Sequence, residues 1–299
     1  MAGPVLARLW NAPVLLLALA SLFWAGNLVI GRAMHASASP FFLSFWRWSL
    51  ALALLLPFAW PHLRRDWPVL RRSLPVLMLL ALLGIMSFST LVYLGLRSTP
   101  AVNGLLLQSV IPLAILTCSF LLFGERARPR QWLGVLVSIG GVIAIASHGA
   151  LDDLLHLRLH PGDLWVLAAV LSYALYSACL RLRPRLHPLS FLAASIALSL
   201  AALGPAYAIE RASLAPSAAF DAALLPVILY LAVFPSLLSY LFFNRGVELI
   251  GANRAGLFIH LIPAFGTVMA VALLGERLHG FHLAGLALIG LGLSLALRR

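Results

Sequence analysis

The chain has 299 residues, of which 62% are hydrophobic and 10% are charged, whereas soluble domains carry about 25% charged residues. This composition cannot cover a water-facing surface, so it excludes a soluble globular protein and indicates a membrane protein with many spans. The formal net charge of +12 is therefore interpreted through membrane topology, and we expect no nucleic-acid partner.

Long uncharged segments recur along the whole chain. A transmembrane helix needs about 20 mostly apolar residues, and the first such segment follows Arg8 without a recognisable cleavage site, so we expect it to be retained as a helix. The sequence predicts an all-α polytopic protein with ten helices, at residues 10–31, 41–60, 74–96, 102–123, 131–148, 162–180, 188–209, 223–244, 255–274 and 281–297.

The arginines are distributed unevenly between the loops. All 21 basic residues are arginine. With the N-terminus on the inside, 15 of them fall on the inner side and 5 on the outer side, and Arg47 alone lies within a predicted helix. Because arginine is retained on the cytoplasmic side of membrane proteins, we expect both termini to be cytoplasmic.

The two halves of the chain resemble each other. Residues 95–141 align with 246–292 without gaps and with 11 identities, and the block Gly124-Glu125-Arg126 recurs as Gly275-Glu276-Arg277. This register predicts two repeats, 1–150 and 151–299, of five helices each. An odd number of helices makes the second copy enter the membrane in the opposite direction, and inverted repeats provide the two gates of alternating access in many transporters.

The repeat resembles a known family. The segment from Tyr93 to Ala101, followed by Pro112, Gly124-Glu125-Arg126 and Gly134, is similar to the EamA repeat of the drug/metabolite transporter superfamily, as are Trp24, Gly26, Asn27, Pro40 and Arg47 near the start. The resemblance covers about residues 13 to 297. It implies a basket of ten helices, with a cavity lined by helices 1, 3, 4, 6, 8 and 9, and export of amino acids and related metabolites across the bacterial inner membrane.

Two prolines stand at matching positions of the repeats. Pro112 and Pro263 lie within predicted helices 4 and 9, where a proline lacks an N–H donor and clashes with the preceding turn. Broken helices at matching positions often mark a transport site, so we expect these prolines to act as hinges. The alternative, a bend needed only for packing, stays open.

Polar and aromatic side chains occur one helical turn apart in the predicted cavity helices. Each of them could also serve packing or interfacial anchoring, and His260 could be satisfied by a neighbouring helix. Arg47 could extend to the outer surface or contact a substrate carboxylate. The predicted substrate residues are Trp24, Asn27, Ser89, Tyr93, Gln108, Ser109, Tyr173, Tyr176, Tyr240, Asn244 and His260.

These residues would form a nearly charge-free, aromatic pocket. Such a pocket suits small neutral or zwitterionic metabolites, above all amino acids, aromatic ones included, while polyanions would need several buried arginines. All nine carboxylates map to loops or helix ends, which favours facilitated export over proton coupling. We expect no cofactor, no metal site and a monomer or weak homodimer in the lipid bilayer.

Two other functions stay open. The cavity could export another metabolite or drug, such as a nucleobase, a sugar or a toxic compound. An intramembrane enzyme is the second alternative, but the chain has no Gly-x-Ser-x-Gly elbow and no His-Glu-x-x-His zinc motif. We therefore expect a transporter rather than an enzyme.

Overall fold

The computed structural model describes residues 8–34, 39–99, 101–147, 160–213, 224–274 and 279–297. The repeated block at 275–277 and the expected repeat boundary at 150/151 lie outside these ranges. The described residues form ten long helices: α1 (Pro13–Met34), α2 (Pro40–Arg72), α3 (Leu74–Gly95), α4 (Ala101–Gln108 and Ile111–Phe123), α5 (Pro129–Ala146), α6 (Pro161–Leu182), α7 (Pro188–Ser213), α8 (Leu225–Ile250), α9 (252–274) and α10 (Gly280–Leu297).

Eight of these described helices, α2 to α8 and α10, contain segments long and apolar enough to cross a membrane. In α1 the described apolar segment is Pro13–Asn27, and α9 contains a 3₁₀ turn at Leu257–His260. The chain is an all-α polytopic membrane protein, as the composition predicts.

The helices of the two repeats are interrupted at matching places. π-helical segments occur at Leu82–Ser87 in α3 and at Ala232–Leu238 in α8, positions that correspond in the repeat register. In α4 the helix stops at Gln108 and restarts at Ile111, just before Pro112, and in α9 the 3₁₀ turn precedes Pro263. The breaks expected at the two prolines are therefore present.

The contact between α5 and α10 shows the inversion of the repeats. A Cβ atom on Gly134 would lie 2.5 Å from the Gly292 carbonyl oxygen, and one on Gly141 would lie 2.6 Å from the Gly285 carbonyl oxygen. Residue numbers rise along one helix as they fall along the other, so the two equivalent helices run antiparallel. The glycines allow their backbones to touch, and this pair lies away from the central cavity.

Helix α2 is longer than the sequence predicts. It continues beyond residue 60 through Pro61 and Pro68 to Arg72, with Arg64 and Arg65 exposed. The predicted end of this helix at residue 60 was wrong, because α2 packs along α7 and tertiary packing compensates for the backbone hydrogen bonds that prolines remove.

Candidate substrate site

A small central cavity lies between the two repeats. Its volume is about 30 Å³, which holds one or two waters and is far below the hundreds of Å³ typical of ligand sites. A metabolite can enter only after the helices move. The lining residues are Trp24, Asn27, Arg47, Phe88, Ser89, Val92, Tyr93, Gln108, Ile111, Tyr173, Tyr240, Ile259 and Ile262.

Among the described lining residues, Arg47 is the one cation. Only 3% of the residue is exposed, so it does not extend to the surface. Its Nη1 donates hydrogen bonds to Asn27 Oδ1 at 3.1 Å and to the Tyr93 hydroxyl at 2.8 Å, and its Nη2 lies 3.5 Å from Ser89 Oγ. Within the described residues no carboxylate pairs with Arg47, and its Nε has no hydrogen-bond partner.

The neutral groups around Arg47 also bind one another. The Tyr93 hydroxyl donates to Asn27 Oδ1 at 3.0 Å, and the guanidinium lies 4.9 Å from the Trp48 ring centroid. These dipoles solvate the positive charge without neutralising it. A buried charge without a counter-charge is costly, so the site is electrostatically prepared for an anionic group.

Aromatic rings form another part of the cavity wall. The Trp24 ring lies edge-on to Tyr173 and Tyr240, at centroid distances of 5.8 and 6.0 Å. Phe88 packs against Tyr173 at 4.6 Å. Such geometries add to the stability of buried aromatic clusters, so this wall is preformed.

The aromatic wall is anchored on the π-helical segments. The Tyr240 hydroxyl donates to the carbonyl of Gly84, and Trp24 Nε1 donates to the carbonyl of Pro235 at 3.1 Å. Gly84 and Pro235 are equivalent in the repeat register. A π turn leaves a carbonyl without its usual α-helical donor, and such bulges are frequent at functional sites. Both repeats therefore offer the same backbone acceptor to the cavity wall.

Tyr176 and Asn244 lie below the cavity rather than in its lining. The Tyr176 hydroxyl donates to Asn244 Oδ1 at 2.7 Å, and the Tyr176 ring packs against Gly84, where a Cβ atom would lie 2.4 Å from the ring. Asn244 lines a second cavity, of about 530 Å³, which we call the vestibule. The Tyr176–Asn244 pair, which we call the floor, therefore separates the two cavities.

Ion pairs surround the vestibule. Arg181 pairs with Glu125 at 2.9 Å, and Glu248 pairs with both Arg183 and Arg245 at 3.1 Å. These residues belong to the ends of α4, α6 and α8 on the arginine-rich side. Charged groups therefore line the vestibule but not the cavity, apart from Arg47.

Ser109 and His260 lie behind the lining. His260 Nε2 is 2.8 Å from the Ser109 carbonyl oxygen, and the Ser109 hydroxyl donates to its own helix, at Leu106. His260 is 1% exposed and does not line the cavity. The two residues are repeat equivalents in direct contact, so the break in α4 meets the break in α9 at the axis relating the repeats.

The predicted residues thus fall into three groups. Trp24, Asn27, Ser89, Tyr93, Gln108, Tyr173 and Tyr240 line the cavity, Tyr176 and Asn244 form the floor, and Ser109 and His260 join the broken helices. The prediction missed the apolar lining residues, because nothing in the sequence separates them from packing residues except a shared helix face. These are Phe88, Val92, Ile111, Ile259 and Ile262.

The described carboxylates have structural partners away from the cavity. Asp163 accepts a hydrogen bond from Thr99 and one from the His160 backbone N–H, which caps the start of α6. In the described part of the chain, no group of three histidine, cysteine or acidic residues could hold a metal ion.

Known proteins resemble this chain over nearly its whole length. The profile of the EamA-like transporter family matches residues 11–147 and 160–298. Two proteins of Bacillus subtilis, the uncharacterized transporters YyaM and YetK, are 26% and 27% identical, covering 92% and 96% of this chain and 90% and 87% of their own. A crystal structure with 21% sequence identity superposes with a TM-score of 0.77 over 96% of both chains, a likeness of fold.

Proposed function

Since the chain belongs to the EamA-like transporter family, we propose that it exports small zwitterionic or neutral metabolites, above all amino acids, aromatic ones included. In this proposal the substrate passes through the central cavity by alternating access across the bacterial inner membrane, with both termini cytoplasmic. The family match itself shows a multi-pass membrane protein of a transporter family.

The buried Arg47 is the observation that carries the proposal. Its charge faces the cavity with only neutral partners, and its Nε is free to donate. A substrate carboxylate would accept charge-assisted hydrogen bonds from this guanidinium and would supply the missing counter-charge. The single cation matches one carboxylate, whereas a phosphate or nucleotide sugar would call for several.

The aromatic wall supports recognition of the substrate's side chain. Trp24, Phe88 and Tyr173 present ring surfaces to the same space, which favours an apolar or aromatic side chain. An ammonium group would find ring faces and the Gln108 side chain rather than a carboxylate. Basic amino acids would therefore be poor substrates.

The charge of the lining favours a second candidate, a monocarboxylate without an ammonium group. The lining contains one cation and, among the described residues, no carboxylate, so a monoanion would neutralise it where a zwitterion leaves one positive charge. Neutral nucleobases and sugars have no carboxylate to neutralise Arg47. Substrate pairs that differ in one charged group therefore separate these candidates.

The repeat architecture supports alternating access. The cavity is closed from the vestibule by the Tyr176–Asn244 floor, and α4 and α9 are both broken where they meet. Inverted repeats of this kind can exchange conformations to open the opposite side. Because the described lining residues include no carboxylate and His260 lies behind them, we favour transport driven by the substrate gradient alone.

Counterflow into liposomes tests the proposal. Labelled phenylalanine should enter the liposomes, and unlabelled phenylalaninamide should not compete with it. 3-Phenylpropanoate should compete less well than unlabelled phenylalanine if the substrate is a zwitterion, and better if it is a monocarboxylate. Arg47→Gln should slow phenylalanine flux at least about tenfold, a loss of roughly 1.4 kcal/mol. The matched control is Arg126→Gln, at an exposed loop arginine.

Two results would contradict the proposal. If phenylalaninamide competes as well as phenylalanine, or if Arg47→Gln behaves like the Arg126→Gln control, Arg47 does not bind a carboxylate. The label must also be recovered chemically unchanged, since conversion would indicate an enzyme. A screen of the twenty amino acids in the same assay then ranks the substrates.

A further inference from the structure

An apolar groove lies on the outside of the helix bundle, separate from the central cavity and the vestibule. It has a volume of about 800 Å³ and runs between α2, the start of α3 and α7. It shares no residue with the cavity lining. The groove therefore has no role in the transport path described above.

Small residues of α7 create the groove. Ala193, Ala194 and Ala197 form one side, where side chains end at Cβ, while Leu56 and Leu63 of α2 stand opposite. A bundle helix facing lipid usually fills such space with larger side chains. The shape left open is a channel with apolar walls, which suits a hydrocarbon chain.

One end of the groove is cationic. Arg71 lines it beside Trp67, whose side chain is exposed. At about 1.5 Å per residue the 33-residue helix α2 is about 50 Å long, which exceeds the hydrocarbon core of about 30 Å. Its arginine-rich end therefore reaches the headgroup region, where tryptophan is the usual anchor.

Within the part of the chain that the structure describes, no acidic side chain forms an ion pair with Arg71 or its neighbours Arg64 and Arg72. Arg72 and Arg64 are also exposed near Arg71. The nearby acid is Asp66, and its carboxylate accepts the His187 backbone N–H at the start of α7. The groove thus combines an apolar channel with an uncompensated positive end.

We propose that the groove binds an anionic phospholipid, with an acyl chain against the α7 alanines and the phosphate on Arg71. Basic pockets between transmembrane helices on the cytoplasmic side have the chemistry to hold such headgroups. A lipid of the phosphatidylglycerol type fits best, because the groove end has no free acceptor for the amine of a zwitterionic headgroup among its lining residues.

Native mass spectrometry of the purified protein tests the site. The protein is titrated with phosphatidylglycerol and, separately, with phosphatidylcholine of the same acyl chains. The proposal expects tighter binding of phosphatidylglycerol, and a loss of about fivefold in Arg71→Gln, the value of one arginine at a membrane surface. Ala197→Phe, which fills the groove from an exposed position, should weaken both lipids, and Arg126→Gln should weaken neither.

Three outcomes would overturn the proposal. One is equal binding of the two lipids by the unmodified protein, and another is unchanged phosphatidylglycerol binding in both groove variants. The third is a lipid-free dimer that Ala197→Phe dissociates, because the groove would then be occupied by a second copy of the chain. Phenylalanine counterflow does not depend on any of these results, so the lipid site and the transport proposal fail separately.

Discussion

The two repeats share a backbone design but contribute different chemistry to the centre. Both carry a π-helical segment whose carbonyl, at Gly84 or Pro235, accepts an aromatic donor. The first repeat supplies the cation and its polar partners, together with Trp24 and Phe88 of the aromatic wall, and the second supplies Tyr173, Tyr240 and two isoleucines. The cation and its partners are Asn27, Arg47, Ser89 and Tyr93.

This difference separates two requirements of a transporter. In the proposed alternating access, equivalent backbones would allow the two halves to exchange conformations, which requires matched helix crossings and breaks. Side chains facing the cavity are free of that constraint: the hydrogen-bond partners of Arg47 all come from the first repeat, while both repeats contribute aromatic rings. In the proposed function, the substrate would therefore bind with its carboxylate toward the first repeat.

The matched backbones are tested most strongly at the α5–α10 crossing. Gly141→Ala places a Cβ atom about 2.6 Å from the Gly285 carbonyl oxygen, so the helices must separate. We expect destabilisation of about 1–3 kcal/mol, seen as a lower thermal midpoint in detergent. Gly292→Ala, at the other glycine contact of this crossing, should behave alike, since its Cβ would lie 2.4 Å from the Gly134 carbonyl oxygen.

The matched control for this crossing is Gly140→Ala. A Cβ atom there meets nothing within 4 Å, so the midpoint should stay the same or rise. Equal midpoints for Gly140→Ala and Gly141→Ala would show that the two helices do not touch as described.

The ten helices and the repeat register could be predicted, because apolar length and recurring Pro and Gly residues survive in a single sequence. The π-helical segments could not, since Leu82–Ser87 and Ala232–Leu238 have no common motif. The burial of Arg47 was also inaccessible, because it depends on Asn27 and Tyr93 from other helices.

The contact between the broken helices α4 and α9 is the next to be tested by mutation. His260→Leu removes the donor to the Ser109 carbonyl, which costs about 1–3 kcal/mol when a buried acceptor is left unpaired. His260→Gln can still donate a hydrogen bond to this carbonyl and should keep both stability and flux.

The same variant tests proton coupling. Flux in the wild-type protein and in His260→Gln is measured with and without a proton gradient at a fixed substrate gradient. Dependence of the wild-type flux on the proton gradient, lost in the Gln variant, would make His260 a proton carrier and refute gradient-driven export.

The floor distinguishes the cavity from the vestibule. Tyr176→Phe removes the hydrogen bond to Asn244, worth about 1 kcal/mol, which corresponds to about a fivefold shift. Hydrogen exchange in the floor segments of α6 and α8 should accelerate by that factor, while α5 stays unchanged. Tyr207→Phe, which alters a hydrogen bond with Trp46 instead, is the control. Unchanged exchange in Tyr176→Phe would mean that the floor is held by packing alone.

The smallest effect concerns a pH-dependent contact between the repeats. His187 precedes α7, and its ring stacks on His62 of α2 at 3.5 Å. Burial, followed by the neighbouring His62, lowers the pKa of His187, and Arg65 acts in the same direction against the raising effect of Asp66. The folded protein therefore favours the neutral form of His187. The stability that this preference contributes is fully present above about pH 6.5 and is lost as the pH falls further.

Thermal midpoints measured between pH 8 and pH 5 check this contact. The midpoint of the unmodified protein should decline below about pH 6.5, and His187→Gln should decline less. Parallel pH profiles for the two proteins would show that the histidine pair does not couple α2 to α7 through protonation.

Calorimetry tests whether Arg47 binds the substrate carboxylate. It measures equilibrium binding of phenylalanine and phenylalaninamide to the purified protein and to the Arg47→Gln variant. The two ligands differ in one group, which is a carboxylate in phenylalanine and an amide in phenylalaninamide. We expect the unmodified protein to bind phenylalanine at least about tenfold more tightly than phenylalaninamide, a difference of roughly 1.4 kcal/mol. We expect Arg47→Gln to bind the two ligands equally. An equal preference in both proteins would contradict a carboxylate site at Arg47.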